Sequence, residues 1–164
     1  MPVLKPVRLF MLALLLIASA TAVFWPGTGA DAAHNVISAP AARTAAMAGD
    51  VIIVDVRSPR EWRQTGIATG ARTVTIHNRN GTKGFITEMM KAVGGDKSMP
   101  IALICAAGVR SARALKILTA AGFTKIHNVS EGMLGRPDAG PGWLKRGLPV
   151  THAELLPHQS GVLR

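Results

Sequence analysis

The sequence predicts an α/β fold in which helices cover both faces of a parallel β-sheet. Two observations lead to this prediction. Short apolar runs alternate along the chain with helical, often Ala-rich segments, a pattern typical of parallel sheets with crossover helices. In addition, Val51–Val56 (VIIVDV) and Ile101–Ile104 (IALI) are strongly apolar, as expected for strands that are buried on both faces.

The first half of the domain is predicted to contain three strands and three helices. These elements are, in order, strand Asn35–Ser38, helix Ala41–Ala48, strand Val51–Val56, a short helix from Pro59, strand Val74–Ile76 and helix Gly84–Val93. We expect Ser58 to cap the short helix, because Pro59 then takes the first helical position, where proline is favoured. The stretches Thr65–Ala71 and His77–Lys83 are predicted to be loops.

The second half is organised around a strand, a loop of small residues and a helix. The strand is Ile101–Ile104, and the helix opens at Arg110 and ends near Gly122, which is placed as its C-terminal cap. Another strand is predicted at Lys125–Val129. The Gly- and Pro-rich stretch that follows, Gly132–Pro149, is predicted to be irregular.

Cys105 is the one cysteine of the chain, and it follows the central strand directly. Ligands of open α/β sheets bind at this carboxyl end of the strands. Unpaired N–H groups and the helix dipole place positive charge there, and Arg110 adds a full charge, so we predict a reactive thiolate. The alternative is a buried structural cysteine, since free cysteines often belong to the core. The predicted binding loop comprises Ala106, Ala107, Gly108, Val109 and Ser111.

Asp55 and Arg57 lie at the end of the other central strand. A carboxylate in this place could be catalytic. We interpret Asp55 instead as an organiser of the loop that accepts backbone N–H groups or pairs with arginine. No metal and no cofactor are predicted, because none of the five histidines has a metal-type spacing to another histidine or to Cys105.

The chain is strongly basic, with 19 Lys and Arg residues against 9 Asp and Glu and a formal net charge of +10. Its basic residues are scattered and aromatic residues make up only 4%. Nucleic-acid binding prefers a basic stripe or stacking aromatics, so we expect no nucleic-acid partner. A positive field of this kind favours small anions.

The N-terminus has the pattern of an export signal. Lys5 and Arg8 precede the apolar stretch Leu9–Phe24, and Ala30-Asp31-Ala32 fits an A-x-A cleavage site. Residues 1–32 are predicted to be a cleaved signal peptide. The alternative is an uncleaved membrane anchor, the one case in which we expect membrane contact. Either way the folded domain, 35–150, is expected in the periplasm or secreted, followed by a loose tail, 151–164.

Several motifs taken together resemble the rhodanese-like domain family. They are DVRSPREW at Asp55–Trp62, GA at Gly70-Ala71, CAAGVRS at Cys105–Ser111, AAGF at Ala120–Phe123, EGM at Glu131–Met133 and GWLKRGLPV at Gly142–Val150. The resemblance covers about residues 35–150. It implies a single rhodanese-like domain with a parallel five-stranded sheet flanked by helices, here in an exported member.

The resemblance also implies an activity, the transfer of sulfane sulfur through a persulfide on Cys105. The loop up to Arg110 would surround the outer sulfur with N–H donors, and Arg110 would hold the departing anion. Asp55 and Arg57 would have mainly structural roles. The donor would be a small sulfur-containing anion such as thiosulfate and the acceptor cyanide or a thiol, with ping-pong kinetics.

The length of the loop separates this activity from related ones. Four residues lie between Cys105 and Arg110, whereas similar phosphatase and arsenate-reductase loops have five and form a wider cradle. The shorter loop resembles the sulfur-handling branch. Arsenate or phosphate-ester chemistry is therefore the weaker alternative, and the single cysteine also argues against a reductase, which usually needs a resolving thiol.

The sequence departs from the family pattern in three places. Ala106 follows the cysteine where many thiosulfate-using members have a basic residue, and the segment Thr65–Ala71 lacks the family's histidine. Arg136-Pro137 stands where a tryptophan is common, and Trp143 comes later, which predicts a longer loop near the pocket. A non-catalytic binding or regulatory module stays open as an alternative, although Cys105 is retained. The oligomeric state stays unknown from the sequence.

Overall fold

A computed structural model of the chain describes residues 35–152. In this range the helices are α1 (Ala39–Ala48), α2 (Pro59–Thr65), α3 (Gly81–Ala92) and α4 (Val109–Ala120). The strands are β1 (Val36–Ile37), β2 (Ile52–Asp55), β3 (Ile67–Ala68), β4 (Arg72–Thr73), β5 (Ile101–Ile104), β6 (Ile126–Val129), β7 (Gly135–Arg136), β8 (Gly140–Pro141) and β9 (Val150–Thr151).

Five of these strands form one parallel sheet in the order β1-β6-β5-β2-β4. The longest pairing joins β2 to β5, from Ile52 opposite Ile101 to Asp55 opposite Ile104. The prediction of an α/β fold with a five-stranded parallel sheet is therefore confirmed. Because the strands are parallel, their carboxyl ends meet at one edge of the sheet, and this edge carries Asp55 and Cys105.

The side chains of the central strands alternate between two apolar layers, which places helices on both faces as predicted. Val54, Leu103 and Cys105 face the layer that includes residues of α3 and α4. Ile53 and Ile104 face the layer that includes residues of α1 and the later Trp143. Successive side chains of a strand point to opposite faces, and here both faces are buried. The strands are therefore continuous apolar runs in the sequence.

The helix ends follow the local chemistry of the sequence. The backbone N–H of Glu61 donates to the hydroxyl of Ser58, so α2 begins at Pro59 as expected. At the end of α4, the N–H of Phe123 donates to the carbonyl of Leu118, while Gly122 has a φ of +90°. This closing turn requires the left-handed conformation that glycine adopts most readily.

Helix α1 begins two residues earlier than predicted, at Ala39, and four other stretches depart further from the predicted boundaries. The strand expected at Val74–Ile76 is β4 (Arg72–Thr73), although the N–H groups of Val74 and Ile76 continue the ladder to the carbonyls of Asp55 and Val56. Helix α3 begins three residues earlier than Gly84. The predicted loop 65–71 contains β3, which pairs antiparallel with β9, and the stretch 132–149 contains the hairpin of β7 and β8.

The predicted signal segment 1–32 lies outside the described residues, as does the tail from residue 153 onward. The β9 strand includes Thr151, so pairing reaches the first residue of the predicted tail. Within residues 35–152, none of the helices has the length and apolar character needed to cross a membrane.

Candidate active site

Cys105 lies directly after β5, at the carboxyl edge of the sheet, and is fully buried. Its sulfur is in the apolar layer next to α4. Ser111 lies on the first turn of α4. Its hydroxyl is placed to donate to the sulfur of Cys105, at 3.3 Å, or to the carbonyl oxygen of Gly108, at 3.1 Å. The sequence placed Cys105 at the end of a strand and beside a helix N-terminus, and the structure brings both together.

Gly108 turns the loop from Cys105 into α4. Its φ is +80°, the left-handed region that side chains disfavour, and it is the N-cap of the helix. A Cβ atom at this position would collide with the carbonyl oxygen of Ser130. Glycine therefore lets the loop pack against the segment that follows β6.

That segment, which includes Gly132 and Met133, holds the beginning of the loop. The N–H of Met133 donates to the carbonyl of Cys105 over 2.8 Å, and the N–H of Leu134 donates to the carbonyl of Ala106 over 2.8 Å. Gly132 approaches so closely that a Cβ there would lie 2.5 Å from the carbonyl oxygen of Cys105. These contacts bind the carbonyl groups of Cys105 and Ala106 to the segment that follows β6.

The N–H groups of the loop and of the first turn of α4 are the second feature of the site. Among residues 35–152, no backbone or side-chain acceptor takes a hydrogen bond from the N–H groups of residues 106–111. Ala106 and Ala107 are half-buried and Val109 is exposed, so the loop carries no charged side chain before Arg110. The helix dipole adds partial positive charge at the same end.

Arg110 forms a two-pronged ion pair with Glu61 of α2. Its two terminal nitrogens donate to the two carboxylate oxygens over 2.8 and 2.5 Å, and both side chains are 27% exposed. The hydrogen bond from Arg110 is the main cause that lowers the pKa of Glu61 to about 2, and Glu61 in turn raises the pKa of Arg110. The charge of Arg110, which we expected to act on a bound anion, is neutralised by this carboxylate.

Asp55 and Arg57 form a second ion pair, which is buried at the same edge. The backbone N–H of Arg57 donates to Asp55 over 3.0 Å, and its Nη2 donates to the carboxylate over 2.7 Å. Its Nε also donates to the Asp55 carboxylate, while Nη1 donates to the hydroxyl of Thr65 and Nη2 to the carbonyl of Gly66. Asp55 thus has the contacts of the loop organiser that the sequence suggested, and the pair fastens the end of α2 to β2.

Arg136, on β7, brings another charge to the loop. Its Nη1 lies 3.5 Å from the carbonyl oxygen of Ala107. Its Nε is 2.8 Å from the carboxylate of Asp138, but the alignment is not that of a hydrogen bond. The side chain is 36% exposed, whereas that of Asp138 is 69% exposed.

Three features of the site were not predicted from the sequence. They are the ion pair of Glu61 with Arg110, the contacts of Gly132 and Met133 with the Cys105 carbonyl, and the position of Arg136 beside the loop. The spacing Ser58-x-x-Glu61 indicates a capping box, and the structure has one, but this signal contains nothing about Arg110. The two partners of that pair are 49 positions apart in the chain. In the sequence Arg136 is only a departure from a family pattern, and the folded hairpin places it beside the loop.

Comparisons with known proteins agree with this architecture. The family described as Rhodanese-like domain matches residues 38–135. The uncharacterized protein RP600 of Rickettsia prowazekii is 26% identical over 118 residues, which cover 71% of this chain and 95% of that protein.

Two solved structures are also similar to this chain. Rv0390 of M. tuberculosis is 26% identical with a TM-score of 0.54, covering 70% of this chain and 95% of that one. The 30 kDa polysulfide-sulfur transferase homodimer of Wolinella succinogenes is 25% identical with a TM-score of 0.52, covering 79% of this chain and 83% of that one.

Proposed function

The chain belongs to the family of rhodanese-like domains, and from this premise we propose that it is a sulfurtransferase that carries sulfane sulfur as a persulfide on Cys105. The observation that carries the proposal is the position of that sulfur, at the end of β5 and 3.3 Å from the Ser111 hydroxyl. The N-terminal N–H groups of α4 lie next to it in the chain. Such donors stabilise a thiolate or a persulfide anion, because both carry a full negative charge on sulfur.

In the first half-reaction, the Cys105 thiolate attacks the outer sulfur of a donor such as thiosulfate. A sulfur–sulfur bond forms to Cys105, the sulfur–sulfur bond of thiosulfate breaks, and sulfite leaves with the electron pair. The persulfide anion that remains has the charge of the original thiolate. The loop N–H groups and the Ser111 hydroxyl are the donors that would stabilise it.

In the second half-reaction, a nucleophilic acceptor removes the outer sulfur. With cyanide, a carbon–sulfur bond forms, the persulfide bond breaks, and thiocyanate leaves while the Cys105 thiolate is restored. A thiol acceptor would leave as a persulfide by the same displacement. Because the donor product departs before the acceptor reacts, the kinetics are ping-pong.

Polysulfide is a second candidate donor beside thiosulfate. The similar Wolinella succinogenes protein is named a polysulfide-sulfur transferase, and polysulfide is also a small anion with a terminal sulfane sulfur. Both donors fit the same displacement, since each presents an outer sulfur and an anionic leaving group. Steady-state assays with each donor compare them directly.

Thiocyanate formation from thiosulfate and cyanide tests the proposal. We expect parallel double-reciprocal lines when the two substrates are varied, as a ping-pong mechanism requires. Cys105→Ser should abolish turnover. The control Ser130→Ala changes a nearby hydroxyl that donates to the carboxylate of Glu131, and this variant should retain turnover. Unchanged turnover in Cys105→Ser would contradict the role of Cys105, and a wild-type protein without turnover would favour the binding or regulatory module.

The place of action is a separate part of the proposal. We propose that residues 1–32 direct the domain out of the cytoplasm, because Lys5 and Arg8 precede an apolar stretch and an A-x-A site. N-terminal sequencing of the protein from its native host is expected to begin at Ala33. An N-terminus at Met1 in the membrane fraction would instead support an uncleaved anchor.

A further inference from the structure

The arginines at the carboxyl edge of the sheet differ in how their charges are compensated. Arg57 is bound to the buried Asp55, and Arg110 is bound through both terminal nitrogens to Glu61. Arg146 contacts Glu131, whose side chain is only 4% exposed. Each of these cations therefore faces a carboxylate that is held within the fold and reduces its attraction for another anion.

Arg136 is compensated much less. The side chain of its partner Asp138 is 69% exposed, and the contact involves Nε without hydrogen-bond alignment. Water and salt screen the mostly exposed Asp138 carboxylate, whereas the Arg136 Nε that faces it is buried and has no hydrogen-bond partner among the described residues. The charge of Arg136 is consequently more available to an approaching anion than that of Arg110.

The hairpin places this charge beside the sulfur loop. The Nη1 of Arg136 is 3.5 Å from the carbonyl of Ala107, the second residue after Cys105. Two residues before it, the N–H of Leu134 donates to the carbonyl of Ala106. The backbones of Gly135 and Gly142 pack so tightly that neither position has room for a Cβ atom. The position of Arg136 relative to the loop is thus set by backbone contacts on both sides.

We propose that Arg136 recognises the anionic sulfur donor at the mouth of the Cys105 loop, while Arg110 remains bound to Glu61 and holds α2 against α4. This assignment rests on the proposed sulfurtransferase function. Its substrate class is a small anion with a terminal sulfane sulfur, such as thiosulfate. The Ala106 and Ala107 side chains of the loop have no charge, so Arg136 supplies the cation that they lack.

Two alkylating reagents of similar size measure the charge preference around Cys105 without any sulfur chemistry. Iodoacetate is an anion and iodoacetamide is neutral. We expect Arg136→Ala to lower the ratio of their rate constants with Cys105 by about threefold to tenfold, as the loss of one nearby charge predicts. Asp138→Asn removes the screening carboxylate and should raise the ratio by about twofold. The control Lys125→Ala removes a positive charge at the opposite edge of the sheet and should leave the ratio unchanged.

The same variants of the full chain are then compared as enzymes. Arg136→Ala should lower kcat/KM for thiosulfate by about tenfold, mainly through KM, whereas Arg136→Lys should recover about a third of the loss because it restores the charge. If Arg136 only holds the Ala107 carbonyl in place, Arg136→Ala should also alter the rate constant with iodoacetamide. In that case Asp138→Asn should not raise the ratio of the two rate constants.

The outcomes separate the two proposals. If wild-type protein accepts sulfur and Arg136→Ala matches it in both the alkylation ratio and KM, the role of Arg136 is wrong and the sulfurtransferase function stands. If wild-type protein accepts sulfur from neither thiosulfate nor polysulfide, the sulfurtransferase function fails, and the donor assignment fails with it. A Cys105 that reacts with neither alkylating reagent has no accessible path and would contradict both.

Discussion

Two of the arginine–carboxylate pairs at the carboxyl edge of the sheet, Asp55–Arg57 and Glu61–Arg110, differ in burial and in the length of chain that they join. Asp55 and Arg57 are two residues apart and buried, and the arginine also binds Thr65 and Gly66. Glu61 and Arg110 are 49 positions apart and each is 27% exposed. The first pair fixes the end of one strand, whereas the second joins two helices beside the Cys105 loop.

This difference decides what each pair contributes. A buried pair adds little over an apolar replacement, but the loss of one partner leaves a charge without compensation and is strongly destabilising. A half-exposed pair is screened by water, so its loss costs less. The Asp55–Arg57 pair is therefore expected to have the larger effect on the free energy of unfolding. The Glu61–Arg110 pair is expected mainly to hold α4 in position relative to α2.

The largest effect is expected for Asp55→Asn. The change leaves the Arg57 charge buried without its carboxylate, so the free energy of unfolding should fall by about 3–5 kcal/mol. Urea unfolding followed by circular dichroism measures it. Asp50→Asn is the matched control, because Asp50 is exposed before the same strand and should change stability by less than about 0.5 kcal/mol. A loss below about 1 kcal/mol in Asp55→Asn would remove the distinction between the two pairs.

A smaller effect is expected for Glu61→Gln, which weakens both the ion pair and the capping box at Ser58. We expect a loss of about 1 kcal/mol in the same measurement. The control Glu88→Gln changes an exposed pair with Lys91 on α3 and should cost about 0.3 kcal/mol or less. Equal losses in the two variants would mean that the two-pronged ion pair of Glu61 with Arg110 stabilises the fold no more than an exposed ion pair does.

The smallest effect is the pH dependence of the Glu61 contribution. The folded-state pKa of Glu61 is lowered from 4.5 to about 2, chiefly by the hydrogen bond from Arg110. A depressed carboxyl pKa stabilises the folded state above the unfolded value and loses that stabilisation as the pH falls. The stability difference between wild-type protein and Glu61→Gln should therefore shrink between about pH 4.5 and about pH 2. A difference that stays constant over this range would contradict the ion pair.

The sequence predicts the parts of this site that depend on local pattern. The apolar runs locate β2 and β5, and Gly122 marks the end of α4, because burial on two faces and a left-handed turn both leave local signals. The position of Cys105 at a strand end follows from these elements. Residues that are neighbours in the sequence are therefore sufficient to place β5, Cys105 and α4 in order along the chain.

The parts that the sequence leaves out depend on contacts between distant segments. The pairing of β3 with β9 joins two-residue strands, which are too short to show any periodicity. The hairpin that carries Arg136 lies in a stretch whose glycines and prolines predicted an irregular loop. Glu61 was visible as a member of a short helix, but its contact with Arg110 exists only after α2 and α4 have packed.

The central claim is that Cys105 carries sulfane sulfur, and intact-mass measurement of the purified full chain tests it most directly. Wild-type protein treated with thiosulfate or polysulfide should gain about 32 Da, the mass of one sulfur atom in a covalent intermediate. Cyanide should remove the gain, and Cys105→Ser should never acquire it. A wild-type protein that gains no mass with either donor, or a gain that persists in Cys105→Ser, would contradict the account.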